Sequence, residues 1–468
     1  MKAHNLITSK RKRIYILGIC MAGIFLVGCE DFLEAETPLN EIANQEVFNN
    51  ENTATAALTT LYGKLRDQAL LTGNLSGTTF TMGLYADELD YYSTPGNPLE
   101  SFYLHQVLPS NTTVQSIWGE SFAIIHQGNE VLQGLRSSSS LDDSIKNQLT
   151  GEALFVRALL HFYLVNIYGD IPYITSIDYV INSQVERLPV TKVYNNIIQD
   201  LLEAKGLLSA DYISAERVRA NISVVSALLA RVYLYQGQWQ KAETQSSLVI
   251  DNTGLFDLEP DVDKVFLKGS RSTIWQFKPK SEGDNTIEAS NFIFSSGPPP
   301  LIALNPVLFE AMEEEDVRKT SWIGTVTNGT ASWYYPFKYK QNNNTGASLE
   351  YSIVFRLAEQ YLIRAEARAM QANITGAQQD LSTVRNRAGL GDAEASTTEE
   401  LLDLILKERR FELFTEYGHR WFDLRRFGMA GAVLSPIKPG WRPTDILFPI
   451  PESELLINPN LNPQNPGY

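Results

Sequence analysis

Ala230 and Ala242 stand 12 residues apart, on either side of a bend at Gln236-Gly237-Gln238. Ala365 and Ala377 repeat that spacing around Gln371-Ala372-Asn373. Small residues at such matched positions let two antiparallel helices approach closely, as in the tetratricopeptide repeat. The two copies are 135 residues apart, whereas a tandem array repeats about every 34. The spacing therefore predicts a mostly-α chain: a tetratricopeptide-like scaffold of helical pairs, with long loop insertions and a few short strands.

Other segments fit that frame. Ala43 to Arg66 and Leu141 to Tyr168 read as helices, the second with a cap box at Ser140 and Asp143. In it Leu149, Ala153, Val156, Leu160, Tyr163 and Ile167 recur every three or four residues. Phe155, Leu159 and Phe162 widen that face, so packing on two sides is expected, and Gly169 and Pro172 end the helix. Thr191 is expected to cap Lys192 to Leu208. Ile222 to Tyr235 and a partner through Ile250 form the first alanine pair. A last helix starts at a Thr397/Glu400 capping box and runs to about Tyr417. Two stretches, 80–113 and 254–348, are rich in Gly, Asn, Thr, Ser, Pro and aromatic residues and read as insertions. Ile274 to Phe277 and Tyr335 to Tyr339 are candidate strands within them. Ser295 to Pro300 is loop, and the stretch after Ser435 is extended.

The N-terminus predicts location. Lys10-Arg11-Lys12-Arg13 precedes an apolar run from Ile14 to Val27 and the sequence Leu26-Val27-Gly28-Cys29. This is the layout of an export signal, and its end resembles a bacterial lipobox, whose cysteine is acylated. The apolar run is short of the roughly 20 residues needed to span a bilayer. Residues 1–28 are thus expected to be a lipoprotein signal peptide, Cys29 the lipidated residue, and 29–468 one α-rich domain. Removing 1–28 leaves 440 residues with 34 basic and 54 acidic side chains, a net charge of −20. Such a chain does not seek nucleic acid or an anionic lipid surface. Cys20 leaves with the signal, so the folded part carries no disulfide and no cysteine metal ligand. Cys29→Ala should release the protein from the membrane, because buried acyl carbon contributes about 0.8 kcal/mol per CH₂ and nothing else anchors the chain. Detergent-phase partitioning checks this, and a variant that still partitions there with lipid attached contradicts it.

Catalysis, cofactors and metals are not expected. The remaining histidines, His105, His126, His161 and His419, show no metal-ligand spacing, and neither a nucleophile elbow nor a phosphate-binding glycine loop is present. Asp87, Glu88 and Asp90 could in principle perform glycoside hydrolysis, but carboxylates as readily bind sugar hydroxyls. Glu408, Glu412 and Glu416, with Arg409, Arg410, Arg420, Arg425 and Arg426, read as a structural ion-pair network. Glu313-Glu314-Glu315-Asp316 reads as a solvated face. The aromatic insertions are the better candidates for function, because a flat ring stacks on a sugar's C–H face while Asn, Asp and Glu read its hydroxyls. The candidate ligand-binding residues are Tyr85, Asp87, Glu88, Tyr91, Tyr92 and Asn97 in the first insertion, and Trp322, Trp333 and Tyr334 in the second.

Motifs spread over the whole chain carry a resemblance. They include Asp31-Phe32-Leu33, Glu152-Ala153 through His161-Phe162, and Tyr168-Gly169-Asp170-Ile171-Pro172. They continue with Arg356-Leu357-Ala358-Glu359, Val384 to Gly389, Glu408-Arg409-Arg410-Phe411-Glu412-Leu413, Gly418 to Arg426, and the ending from Phe448 to Tyr468. In order and together they resemble the SusD/RagB family of Bacteroidetes outer-membrane lipoproteins. Tyr417 departs from the acid that family often has before the glycine. The resemblance implies a helical tetratricopeptide-type fold and a place on the exterior of the outer membrane. It implies a TonB-dependent SusC-like β-barrel as partner, closed over like a lid, and capture of an oligosaccharide or similar nutrient without cleavage. It also implies that ligand contacts come from loops in about the two regions above. The alternative is a surface interaction scaffold whose helical repeats bind protein and whose loops bind no small ligand.

Overall fold

The computed structural model describes residues 46–468. Cys29, the signal segment and the expected helix start at Ala43 lie outside the described residues. Helices of eight residues or more are α1 (Glu51–Asp67), α2 (Thr78–Tyr85), α3 (Thr112–Ser137), α4 (Asp143–Tyr168), α5 (Val190–Leu207), α6 (Ile222–Tyr235), α7 (Trp239–Ile250), α8 (Leu357–Met370), α9 (Ile374–Arg387), α10 (Thr398–Leu413) and α11 (His419–Arg426). The strands are β1 (Leu89–Tyr91), β2 (Thr273–Phe277), β3 (Ile302–Leu304), β4 (Ile323–Thr327), β5 (Ser332–Pro336) and β6 (Ser352–Arg356).

Local chemistry sets many of the helix ends. Asn50, Asn111, Asn221 and Asn373 each accept a backbone N–H at the start of α1, α3, α6 and α9. Thr397 and Glu400 form the expected reciprocal capping box at α10. Gly169 ends α4 at a φ of 75°, a conformation that favours glycine. Two expected caps are corrected. α4 starts after Asp142, which makes no side-chain cap bond, rather than at Ser140. α5 starts after Pro189, so Thr191 sits inside the helix.

The alanine spacing has the expected result. Ala230, Ala242, Ala365 and Ala377 are fully buried, and α6–α7 and α8–α9 are close-packed pairs. Tertiary packing adds that α7 lies directly against α8, although Ile250 and Leu357 are more than 100 residues apart in the chain. β2 and β6 bring the ends of that insertion together as an antiparallel pair, with Trp275 and Phe355 wholly buried between the helices. β6 passes straight into α8 through Arg356. The scaffold is thus continuous, and the insertion is clamped at its base. α4 packs against α3 on one side and α5 on the other, as its two apolar faces require. The C-terminal segment after Ser435 is not extended as expected: it folds through successive turns, 3-10 turns at Pro443–Ile446 and Pro459–Leu461, and a short helix at Glu452–Ile457. The Asn465 amide holds it by donating to the Tyr168 and Phe448 carbonyls, each at 2.7 Å.

The first insertion is not all loop. Residues 80–85 belong to α2, and every residue of that helix is buried. The last long helix also ends sooner than its periodicity suggests, at Leu413. Thr415, Tyr417 and Gly418 then take left-handed φ values of 52°, 45° and 79°. Such backbone persists where its surroundings over-determine it. Here Thr415 N–H donates to Glu88 and Tyr417 N–H to Thr79, both at 3.2 Å. Lys338 Nζ donates to the carbonyls of Glu412 and Phe414 at 2.9 and 2.8 Å. Tertiary hydrogen bonds thus end the helix.

Candidate functional site

A four-stranded sheet in the order β1-β3-β5-β4 joins the two insertions. β1 comes from the first, and the other three strands come from the second. β3 pairs antiparallel with both β1 and β5, so Leu304 faces Leu89 on one side and Tyr334 on the other. Tyr92 extends the ladder by donating its N–H to the Leu301 carbonyl at 2.8 Å. Rings more than 200 residues apart in sequence are thereby placed on one small sheet.

The alternation of side chains along a strand then separates them. Tyr91 and Tyr334 share the face of Leu89 and Leu304. Tyr91 leans on Tyr103, with ring centroids 6.5 Å apart, and Tyr334 stacks on Phe309 at 4.2 Å. The opposite face carries Tyr92, Asp90, Trp333 and Tyr335. Tyr92 is 39% exposed. Trp333 lies across Gly297, and Tyr335 lies across Gly324 and against Phe294 at 5.2 Å. A Cβ at either glycine would sit 2.1 Å from the ring, so both glycines leave room for an aromatic side chain to lie flat. Asp90 is half-buried; burial raises its carboxyl above the ordinary value, while the Asn305 amide donates to it at 3.0 Å. A partly open row of rings beside a hydrogen-bonding carboxyl suits a ligand with apolar faces and polar edges.

Four sequence candidates lie elsewhere. Tyr85 is buried against Trp421 and Phe448, and its hydroxyl donates to the Asp445 carbonyl at 2.9 Å. Trp322 has no exposed surface and donates Nε1–H to the Val262 carbonyl at 2.9 Å. Asp87 is locked between Arg420 and Arg410, at 2.7 and 2.8 Å. Burial pushes its carboxyl up, but the two guanidinium groups outweigh that and hold it below the usual value. Glu88 is enclosed; burial first, then the Asp87 charge, push it up to about 8. None of the four presents a surface to a ligand. Asn97 remains half-buried, its side-chain oxygen accepting the Leu99 N–H at 3.0 Å in a local turn. The sequence could not separate these residues from the open ones, because aromatic and acidic types recur on both sides of the same short segment.

The charged set of α10 and α11 forms a buried network, as expected. Glu408 and Glu412 meet Arg318, Glu412 also meets Arg356 and Arg387, and Glu416 meets Arg356 and Lys338. Asp423 joins Arg409 to Arg426, which continues to Glu366. Glu313 to Glu315 remain at least partly open, but Asp316 is buried, caps the short helix Val317–Ser321 and pairs with Arg318 at 2.8 Å. That corrects the reading of the whole acidic run as solvated. Among the described residues, no group of three or more His, Cys, Asp or Glu side chains is placed to hold a metal ion. No described helix is long and apolar enough to cross a membrane.

Comparison with known proteins agrees with this architecture. Residues 31–234 match a family model described as starch-binding associating with outer membrane, and residues 310–441 match that of the SusD family. The chain belongs to the SusD/RagB family. This SusD-family chain is 28% identical to SusD-like protein P2 of Formosa agariphila, over 95% of its own length and 97% of the relative's. Its fold matches that of a laminarin-binding SusD-like protein with a TM-score of 0.76 and 26% identity, covering 90% of this chain and 100% of the other. A SusD-superfamily protein of Bacteroides vulgatus superposes with a TM-score of 0.78 at 20% identity, over 90% and 99% of the two chains.

Proposed function

We propose that this SusD-family protein is a cell-surface glycan-binding lipoprotein. It captures an oligosaccharide without cleaving it and delivers it to a TonB-dependent SusC-like barrel in the outer membrane, to which it is tethered through Cys29. The observation that carries the reading is the row of Tyr92, Trp333 and Tyr335 on one face of the joined sheet. These rings offer stacking planes, and Asp90 offers a hydroxyl partner, on a rigid helical frame of the kind that holds functional loops in place. The carbohydrate class is supported by the laminarin-binding relative of the same fold. The transporter and the lipid anchor are supported by the family and by the sequence before Cys29.

A cargo that must be released to a transporter calls for modest affinity, micromolar to millimolar, or about −8 to −4 kcal/mol. Losing one stacking ring should cost on the order of 1–3 kcal/mol, by analogy with bases stacked on aromatic side chains. A glycan array identifies the ligand, and calorimetry then compares wild type with Tyr92→Ala and Trp333→Ala. Unchanged affinity in both variants removes the site from this face, and shortened glycan products remove the noncatalytic reading.

The interaction-scaffold alternative has one observation in its favour. Tyr179, Val180, Ile181, Leu456 and Ile457 are 57–79% exposed, and two of them, Tyr179 and Ile457, line a groove with Trp118 and Phe122. An apolar patch of this kind marks contact surfaces. A soluble domain that binds no glycan on the array but does bind the transporter would decide for that alternative.

A further inference from the structure

A second cleft, of about 320 Å³, opens between the C-terminal end of α1, the end of β2 and the segments around 284–290 and 341–344. That size lies within the roughly 300–1,000 Å³ of small-molecule sites. Its walls are rich in amides, among them Asn342 and Asn343, and Glu288 lines it. Glu288 is 4% exposed. Its carboxyl accepts the Ser352 hydroxyl at 2.8 Å and lies hard against Gly73, where a Cβ would come within 2.6 Å of it.

The surroundings of Glu288 set it apart. Every other buried carboxyl among the described residues lies in the field of at least one guanidinium or ammonium group. Glu288 has no such partner; burial raises its carboxyl above the ordinary value, and only hydrogen bonds oppose that. Lys338 and Glu288 both border a separate cavity of about 10 Å³, room for about one water. Lys338 is already committed to Glu416 and to two carbonyls. Two cations do line the cleft, but neither pairs with Glu288: Arg66 is held by Asp67 at 2.6 Å, and Lys280 is exposed to solvent. A buried carboxylate without a cation is costly, so Glu288 holds its proton more tightly; a ligand cation entering the cleft that Glu288 lines would stabilise its charged form.

We propose that this cleft is a subsite for a sugar residue bearing a free primary amine, whose ammonium pairs with Glu288 while the amide walls take its hydroxyls. The subsite is separate from the aromatic row and does not depend on it. An N-acetylated sugar offers no cation and is discriminated against, as is an unsubstituted one.

Calorimetry on the soluble domain with fully deacetylated chitotriose, its N-acetylated counterpart and maltotriose tests this. The deacetylated trisaccharide should bind roughly tenfold or more tightly than either of the others. Glu288→Gln should abolish that preference and leave binding of the neutral sugars within about twofold. Gly73→Ala, which displaces the carboxyl, should do the same and serves if Glu288→Gln fails to fold. Equal affinities in wild type overturn the proposal. So does a preference that survives in a folded variant, which would assign it to the acidic surface at large. Tyr92→Ala leaves the amine preference intact, so failure at the aromatic row and failure here are read separately.

Discussion

Glu412→Ala should lower folding stability by about 3–5 kcal/mol, the range for removing one partner of a buried ion pair. Glu412 has no exposed surface and meets Arg318, Arg356 and Arg387. Burial raises its carboxyl, but the three guanidinium groups outweigh that and hold it well below the ordinary value. Among the described ion pairs Arg387 meets a carboxylate only at Glu412, so the variant leaves a guanidinium buried and unpaired. Urea unfolding measures the loss, and a change under about 1 kcal/mol would show that the network relaxes or admits water.

The same network sets an acid limit. Glu412, Glu416, Asp87 and Asp423 all sit below their ordinary values despite burial, because cations face them. Their stabilising contribution is present above the usual carboxylate range and is lost as pH falls through their depressed native values. His419, buried and held well below its ordinary value, acts in the same direction once pH drops below about 6.5. Glu88, pushed up to about 8, works the other way, losing stability as pH rises from about 4.5 to that value. Asp90, Glu288, Glu350, Asp380, Glu408 and Glu454 are raised by burial as well and work in Glu88's direction. Below about pH 4 all these acids are protonated in both states, so the depressed carboxylates govern and the unfolding midpoint should fall steadily on further acidification. A flat profile there would contradict the pairing.

Trp421→Ala should destabilise by about 3–5 kcal/mol, as large aromatic truncations in cores do. Trp421 is 1% exposed, meets Tyr85 edge-on at 4.8 Å and lies 6.3 Å from Trp441. The ring therefore ties α11 to α2 and to the C-terminal segment. Deleting it opens a cavity among three elements that cannot all close on it. Denaturant unfolding is again the measurement, and a shift inside about ±0.5 kcal/mol would place the ring outside the core.

Much of the helical frame was legible. The two alanine pairs and the Thr397/Glu400 box act within a dozen residues, and local chemistry of that range survives into the fold; the caps expected at Ser140 and Thr191 do not form, and the asparagine caps are read only from the structure. The α10 end was not legible, because Glu88 and Thr79, over 300 residues away in the chain, supply the hydrogen bonds that stop the helix. The candidate site was half legible. Tyr91, Tyr92, Trp333 and Tyr334 do reach one sheet, whereas Tyr85, Asp87, Glu88 and Trp322 serve the interior. Residue type alone cannot tell a ring that stacks on ligand from one that stacks on Phe448.

The sequence by itself determined the helical pairs, the insertions and the family, since periodicity, caps and motif order are properties of neighbouring residues. Only tertiary structure decided how they are used. It placed α7 against α8 across a long insertion, joined β1 to β3 and β5, and divided the rings between two faces of that sheet. It also surrounded Glu412 with three cations and left Glu288 with none. Those outcomes depend on which distant groups share a low-dielectric interior, where charge must be paired and apolar surface must be covered.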